Sequence, residues 1–263
     1  MLLQRIFFSP TKTTQMILEG ISEGIKAEFI TDINLTPLHN PQPDYKINDG
    51  LTIIGVPVYS GRVPKIAADR LQKVKANNSP AVLVVVYGNR GYDDALIELK
   101  DLAIKTGFRP IAAAAFIAEH SFSSKEKPIG KDRPDEKDLE REKEFGMRIN
   151  SMFENSNPVN KLNIVDVPGN FPFKQTVKLP PMSPETILDE CKKCGTCAKV
   201  CPVGAITING FVETNKDECI LCNACVKNCP AKGRVLENDF VNGLREKLYS
   251  ACSSRKEPEF FFN

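Results

Sequence analysis

The chain has 263 residues, of which 41% are hydrophobic and 26% charged, with a formal net charge of +2. These values suit a soluble globular protein of one or two domains, and the near-neutral charge argues against a nucleic-acid surface of clustered Lys and Arg. The longest apolar runs, 81–87 and 111–118, are too short to span a bilayer, and the N-terminus lacks signal-peptide features. We therefore expect a cytoplasmic location, where grouped cysteines bind metals more often than they form disulfides.

The first 154 residues alternate apolar runs with amphipathic segments. Five runs predict strands, at residues 2–8, 28–34, 51–59, 81–88 and 110–119, and the first of them is expected to be buried. Apolar residues at helical spacing predict helices at 13–27, after Pro64, at 93–105 and at 134–153. Nearly continuous apolar strands that alternate with helices indicate a parallel sheet covered on both faces. The expected fold class is α/β, a doubly wound five-stranded parallel sheet in the order 2-1-3-4-5.

Three loops at one edge of this predicted sheet carry candidate ligand-binding residues. The first, "SPTKTT", places hydroxyl groups at a helix N-terminus, which favours an anion, although Ser and Thr are also common there as simple N-caps. The loops after the third and fourth strands combine glycines with tyrosines, which suits a flat ligand. The candidate cofactor-binding residues are Ser9, Thr11, Lys12, Thr13, Thr14, Pro57, Val58, Tyr59, Ser60, Gly61, Tyr87, Gly88, Asn89, Arg90, Gly91, Tyr92 and Asp93.

The rest of the chain divides into a connector, a cysteine-rich domain and a tail. We predict domain boundaries at 1–154, 155–184, 185–238 and 239–263. The connector at 155–184 has six prolines, which indicates a strap lying on a surface rather than a helix or strand. The tail begins with an amphipathic helix and ends in three phenylalanines, which either pack on the body or fray.

Eight of the nine cysteines form two runs of identical spacing, "CKKCGTCAKVCP" at 191–202 and "CILCNACVKNCP" at 219–230. Two-residue gaps let a loop wrap three thiolates around one corner of an inorganic cluster, while the fourth cysteine of each run reaches the neighbouring site. Zinc sites, which prefer two C-x-x-C pairs, and a disulfide framework fit this spacing poorly. Cys252 lies outside both runs, and we interpret it as an incidental thiol.

The two runs resemble the bacterial-type ferredoxins that carry two [4Fe–4S] clusters. Residues 1–150 resemble the flavodoxin fold, most closely the version fused ahead of such a ferredoxin in anaerobic bacteria and archaea, on "FSPTKTT", "GVPVYSGRVP", "YGNRGYDDAL" and "AEHSFS". The resemblance implies FMN and two clusters as cofactors. It assigns one cluster to Cys191, Cys194, Cys197 and Cys229 and the other to Cys219, Cys222, Cys225 and Cys201.

Two positions depart from the pattern of these families. Ser9, Thr11 and Thr14 match the hydroxyl groups of the flavodoxin phosphate loop, but Lys12 stands where that loop has Gly. The second cysteine run continues as "CPAKGRV", where ferredoxins more often read CP-x-GA followed by a hydrophobic residue, so the turn there is expected to differ.

The expected function is electron transfer between FMN, the two clusters and an external redox protein, with no nucleic-acid partner and no membrane span. Two alternatives stay open: an FMN-dependent reductase of a small acceptor, and a ferredoxin whose flavodoxin-like domain docks a partner without flavin. Arg62, Arg90 and His120 are candidates for proton delivery in the reductase, although we interpret His120 as a structural histidine. Asp93 and Asp94 are expected near the flavin edge.

Overall fold

The structure is a computed structural model that describes residues 1–39, 45–155, 162–176 and 179–263. The strands are β1 (Leu2–Phe7), β2 (Phe29–Asn34), β3 (Tyr45–Ile47), β4 (Leu51–Pro57), β5 (Val74–Ala76), β6 (Ser79–Tyr87), β7 (Phe108–Ile117), β8 (Glu185–Thr186), β9 (Ile206–Asn209), β10 (Phe211–Thr214), β11 (Arg234–Val235) and β12 (Glu259–Phe262). The helices are α1 (Thr13–Ile25), α2 (Lys65–Leu71), α3 (Ala95–Lys105), α4 (Glu136–Asn155), α5 (Thr196–Lys199), α6 (Ala224–Lys227) and α7 (Asp239–Ala251).

The main sheet has six strands in the order β12-β7-β6-β4-β1-β2. The five strands from β7 to β2 are parallel, which confirms the predicted five-stranded parallel sheet and its 2-1-3-4-5 order. Two features were not predicted. The C-terminal β12 adds a sixth, antiparallel strand beside β7, and β3 and β5 form a separate short parallel pair.

Helices cover both faces of this sheet, as its continuously apolar strands require. Helices α1 and α4 pack on one face and against each other, where Gly24 lets the two backbones approach: a Cβ there would lie 2.2 Å from the carbonyl oxygen of Lys143. Helices α2 and α3 cover the other face through residues such as Leu71 and Leu99. Strands β1, β4, β6 and β7 are thus largely buried, whereas five of the six residues of β2 are exposed.

The C-terminal tail packs on the first domain. In β12, the rings of Phe260 and Phe262 lie 4.8 and 5.3 Å from the ring of Phe145 on α4. Cys252, interpreted as an incidental thiol, is only 3% exposed in a cluster with Phe122. Strand β12 of the tail therefore belongs to the sheet that begins the chain.

The connector lies on the surface of the first domain in the residues that the structure describes. Its Val165 is buried and donates its N–H to the carbonyl of Pro110, 2.9 Å away. The carboxylate of Asp94 accepts hydrogen bonds from the backbone N–H groups of Asn170 and Lys174. These contacts agree with the predicted strap; residues 156–161 and 177–178 of that prediction lie outside the described residues.

The cysteine-rich part folds from small elements only. Strands β8 and β11 form one antiparallel pair, and β9 and β10 form another. Helices α5 and α6 have four residues each and contain the third cysteine of their runs, Cys197 and Cys225. With so little regular structure, this region depends on its cysteine loops for its shape. Among the described residues, no helix is long and apolar enough to cross a membrane.

Candidate functional site

Two cavities in the cysteine-rich part are each lined by four cysteines. The first, of about 340 Å³, is lined by Cys191, Cys194, Cys197 and Cys229. The second, of about 330 Å³, is lined by Cys201, Cys219, Cys222 and Cys225. These are the two quartets that the resemblance to bacterial-type ferredoxins implies. In both, the fourth cysteine comes from the other run.

The backbone repeats itself around the two cavities at a displacement of 28 residues. Lys193, Gly195 and Gly204 have positive φ angles of 52°, 81° and 72°, and their counterparts Leu221, Asn223 and Lys232 have 54°, 58° and 54°. The turn after the second run therefore keeps the left-handed conformation although Lys232 replaces a glycine. Our expectation of a different turn at "CPAKGRV" was wrong in this respect. Non-glycine residues rarely adopt such angles, so the loops are held by their surroundings.

The donors around each cavity fit an iron–sulfur cluster better than a single ion. Among the described residues, no group of three or more His, Cys, Asp or Glu side chains could hold one metal ion. Burial raises the pKa of the Cys222 thiol to about 12 and also raises those of Cys197, Cys219 and Cys225. Because a metal is bound by the thiolate, loading these sites must release protons.

A third cavity, of about 490 Å³, opens at the carboxyl ends of the parallel strands. We call it the sheet-edge cleft. Eight of the predicted cofactor-binding residues line it: Thr11, Thr13, Thr14, Pro57, Val58, Tyr59, Tyr87 and Gly88. The sequence did not single out seven others as cofactor-binding residues: Pro10, Val86, Ala118, Glu119, His120, Ser121 and Cys222.

The loop between β1 and α1 presents hydroxyl groups to this cleft. The Oγ1 atoms of Thr11 and Thr13 are 3.4 Å apart, and the first-turn amides of α1 have no partner within the helix. Ser9 is buried and lies outside the lining; its Oγ accepts the N–H of Gln15 at 3.1 Å, which fixes the turn. Lys12 also lies outside the lining, with φ 69°, so it adopts the left-handed conformation that Gly favours.

The predicted residues of the loop after β6 mostly face away from the cleft. Asn89 donates from Nδ2 to the carbonyls of Cys252 and Ser254, and the hydroxyl of Tyr92 donates to Glu259. Asp93 pairs with Arg90 and with Lys174. These side chains therefore hold the tail and the connector. The predicted residues outside the lining are Ser9, Lys12, Ser60, Gly61, Asn89, Arg90, Gly91, Tyr92 and Asp93.

Asp94 also departs from expectation, because it holds the connector rather than facing the cleft. Its oxygens accept the N–H of Asn170 at 2.9 Å and that of Lys174 at 2.6 Å. The Lys174 hydrogen bond lowers the pKa of Asp94, against the effect of burial. A carboxylate satisfied in this way is a structural group.

His120 lines the sheet-edge cleft in a defined tautomer. Its Nδ1 accepts the backbone N–H of Phe122 at 3.0 Å, so in the neutral ring Nε2 carries the proton. Burial, and secondarily the charge of Arg90, lowers the pKa of His120 to about 4. His120 is therefore a neutral hydrogen-bond donor at neutral pH.

The sheet-edge cleft and the second cysteine cavity share Cys222 in their linings. Burial raises the pKa of the Tyr59 phenol well above its ordinary value, and the Cys222 thiolate adds to the effect. Three contacts join the two parts of the chain near this point: Asn223 Nδ2 to the Ser121 carbonyl at 2.6 Å, Lys227 Nζ to Glu119 at 3.2 Å, and Arg70 Nη2 to the Pro202 carbonyl at 2.6 Å. The two cavities are therefore neighbours with a fixed relationship.

Comparisons with known proteins gave one family match and a set of similar solved structures. Residues 173–234 match the family model described as a 4Fe-4S dicluster domain. Similar solved structures include a flavodoxin from the domain Archaea (13% identity, 59% of this chain and 100% of that chain, TM-score 0.38). The flavodoxin of Fusobacterium nucleatum bound to flavin mononucleotide is another (14%, 58% and 98%, TM-score 0.38). A search of curated proteins gave no match.

The strand order of the main sheet is that of the flavodoxin-like class, and the fold assignment rests on this order. The chain thus joins a flavodoxin-like sheet to a 4Fe–4S dicluster domain whose eight cysteines support two [4Fe–4S] clusters.

Proposed function

We propose that this chain is an electron-transfer protein that holds FMN in the sheet-edge cleft and one [4Fe–4S] cluster in each cysteine-lined cavity. The flavin would supply the exchange between two-electron and one-electron steps, and the clusters would accept and release single electrons. An external redox protein would be the partner. The observation that carries the proposal is that Cys222 lines both the cleft and the second cavity.

The residues of the cleft suit the parts of FMN. The hydroxyls of Thr11 and Thr13 and the first-turn amides of α1 would hold the phosphate, because a helix N-terminus attracts anions. Tyr59 and Tyr87 offer aromatic faces, and burial raises the pKa of Tyr87 to about 12, so its phenol stays protonated. The Nε2–H of His120, in the loop after β7, would donate a hydrogen bond to the ring system.

The contacts between the two parts of the chain would keep the cofactor sites at a constant separation. Asn223 follows Cys222 directly and is 4% exposed, and its side chain binds the loop that carries His120. The Lys227–Glu119 ion pair lies beside it, with Glu119 in the lining of the cleft. Electron transfer falls steeply with distance, so a fixed interface favours a constant rate.

The first cavity is the one that faces outward. Its Cys194 is exposed, and its lining includes the exposed side chains of Lys192 and Lys193. Three of the four cysteines of the second cavity, Cys201, Cys222 and Cys225, are buried. We propose that the partner approaches at Cys194, with the second cluster between it and the flavin.

Anaerobic purification with quantification of flavin, iron and sulfide tests this function. We expect one FMN and about eight irons per chain, with flavin absorbance above the broad cluster absorbance. Zinc in place of iron would contradict the cluster assignment. Full iron content without flavin would leave a ferredoxin with a docking domain, and turnover of small acceptors at steady state would favour the reductase.

A further inference from the structure

Arg234 is a buried cation within the cysteine-rich part. It is 3% exposed, in strand β11. Its Nη1 donates to Thr186 Oγ1 at 2.7 Å and its Nη2 to Thr214 Oγ1 at 2.8 Å. In the part of the chain that the structure describes, Arg234 forms no ion pair with a carboxylate, and its Nε has no hydrogen-bond partner although it is buried. Because an unpaired buried charge is costly, Arg234 requires an anion that the side-chain carboxylates do not provide.

The guanidinium lies between the two cysteine cavities. Arg234 lines the first cavity together with Cys191, Cys194, Cys197 and Cys229. Its Nη2 is also 3.9 Å from the Sγ of Cys225, which lines the second cavity. One cation thus lies beside cysteines of both quartets.

The internal repeat shows that this cation is a departure rather than a requirement of the fold. At a displacement of 28 residues, the counterpart of Arg234 is Ile206. Ile206 is buried and lines the second cavity as Arg234 lines the first. The turns before the two residues agree, with φ of 72° at Gly204 and 54° at Lys232. The same backbone therefore accepts an apolar side chain at this position, and the charge needs another reason.

We propose that Arg234 is the charge partner of both clusters and raises their reduction potentials. Each cluster gains one negative charge when it accepts an electron, and a buried cation stabilises that reduced form more than the oxidised one. The free Nε–H adds a hydrogen-bond donor for a cluster or cysteinyl sulfur, which acts in the same direction. Arg234 would be a positioning and tuning residue. The inference rests on the two clusters of the proposed function.

Redox titration of the Arg234→Ile variant, monitored by EPR, tests the proposal. This change installs the residue that the other repeat carries. We expect both potentials to fall by at least about 59 mV, which corresponds to a tenfold change in each one-electron reduction equilibrium. Arg234→Lys keeps the positive charge but not the planar guanidinium group. Both reduction potentials should therefore stay close to those of the wild type. Lys216→Ile removes an equal charge from an exposed site of the same region and should shift neither, because solvent screens it.

Three results would overturn the inference. Full iron content with unchanged potentials in Arg234→Ile would do so directly. If the Arg234→Ile variant loses its clusters, the test is made on the wild-type protein. That protein is prepared with arginine carrying ¹⁵N only in the guanidino group. Pulsed EPR of the reduced protein should then show ¹⁵N hyperfine coupling, and its absence would reject the contact. A wild-type protein that binds no clusters would overturn the proposed function together with this inference, whereas the first two results would overturn this inference alone.

Discussion

Asn223 donates a hydrogen bond from Nδ2 to the backbone carbonyl of Ser121 at 2.6 Å, and this bond joins the residue after Cys222 to the loop after β7. The contact links the second cysteine cavity to the sheet-edge cleft. Asn223 has φ 58°, a conformation that glycine adopts without strain. The side chain can therefore be removed without forcing the backbone to change.

We expect Asn223→Gly to retain flavin and iron but to slow electron transfer between them severalfold, because the loop would no longer be tied. Loss of the hydrogen bond should lower the free energy of unfolding by about 1 kcal/mol. Asn223→Ala should lower it by about 1–2 kcal/mol more, since Ala is strained in this conformation. Flash photoreduction and urea unfolding measure the two effects. Transfer at the wild-type rate in Asn223→Gly would show that the bond has no part in coupling the sites.

Lys12 stands in the left-handed conformation at the start of α1, with φ 69°. Lys12→Gly should therefore raise the free energy of unfolding of the flavin-free protein by up to about 1 kcal/mol, through relief of backbone strain. Lys26, at the end of the same helix with φ 56°, provides a matched control. Lys26→Gly should stabilise the protein similarly without changing the affinity for FMN. If Lys12→Gly destabilises the protein, the strain argument fails.

His120 should make stability depend on pH. Its pKa is lowered to about 4 in the folded protein, against about 6.5 in the unfolded chain. The unfolded state therefore binds more protons between these values, so stability is full above pH 6.5 and falls as the pH drops toward 4. Between pH 7 and 5.5 the loss should be about 1 kcal/mol. Urea unfolding of His120→Asn, which keeps an acceptor for Phe122, should lack this component; an unchanged slope would contradict it.

Glu142 should produce the opposite dependence. Its carboxyl group is buried between α1 and α4, and burial, with the nearby Asp138, raises its pKa to about 9. The unfolded chain loses this proton near pH 4.5, so the folded state is progressively destabilised as the pH rises from 4.5 to 9. Glu142→Gln should be more stable than the wild type at pH 8, by about 2 kcal/mol or more, and equal to it near pH 4.5. The exposed Glu140→Gln should show no such change in unfolding experiments.

Local patterns predicted much of this fold. Runs such as "AVLVVVY" form β6 because Val favours a pleated, buried strand, and the strand order follows from alternation with helices. The two cysteine quartets each line one cavity, since loop spacing determines which thiols can converge. The sixth strand could not be foreseen: "EFFF" pairs with β7 more than 140 residues away along the chain, and no local signal specifies that contact.

The candidate site was predictable only in part, for the same reason. Thr11, Tyr59 and Tyr87 line the cleft because they follow parallel strands. Asn89 and Tyr92 follow such a strand too, but the returning tail occupies them. Cys222 in the lining of the cleft depends on how the two parts of the chain pack, which the sequence does not display.

The second cluster, through Cys222, is expected to be the one next to the flavin. EPR relaxation of the one-electron-reduced flavin, measured with the clusters reduced, tests it most directly. Cys194→Ser, which disturbs the first cluster, should leave fast relaxation of the flavin signal intact, whereas Cys222→Ser should slow it toward that of isolated FMN. Slow relaxation of the flavin signal in the wild type with both clusters reduced would contradict this placement of the second cluster. Slow relaxation in Cys194→Ser but not in Cys222→Ser would contradict it too.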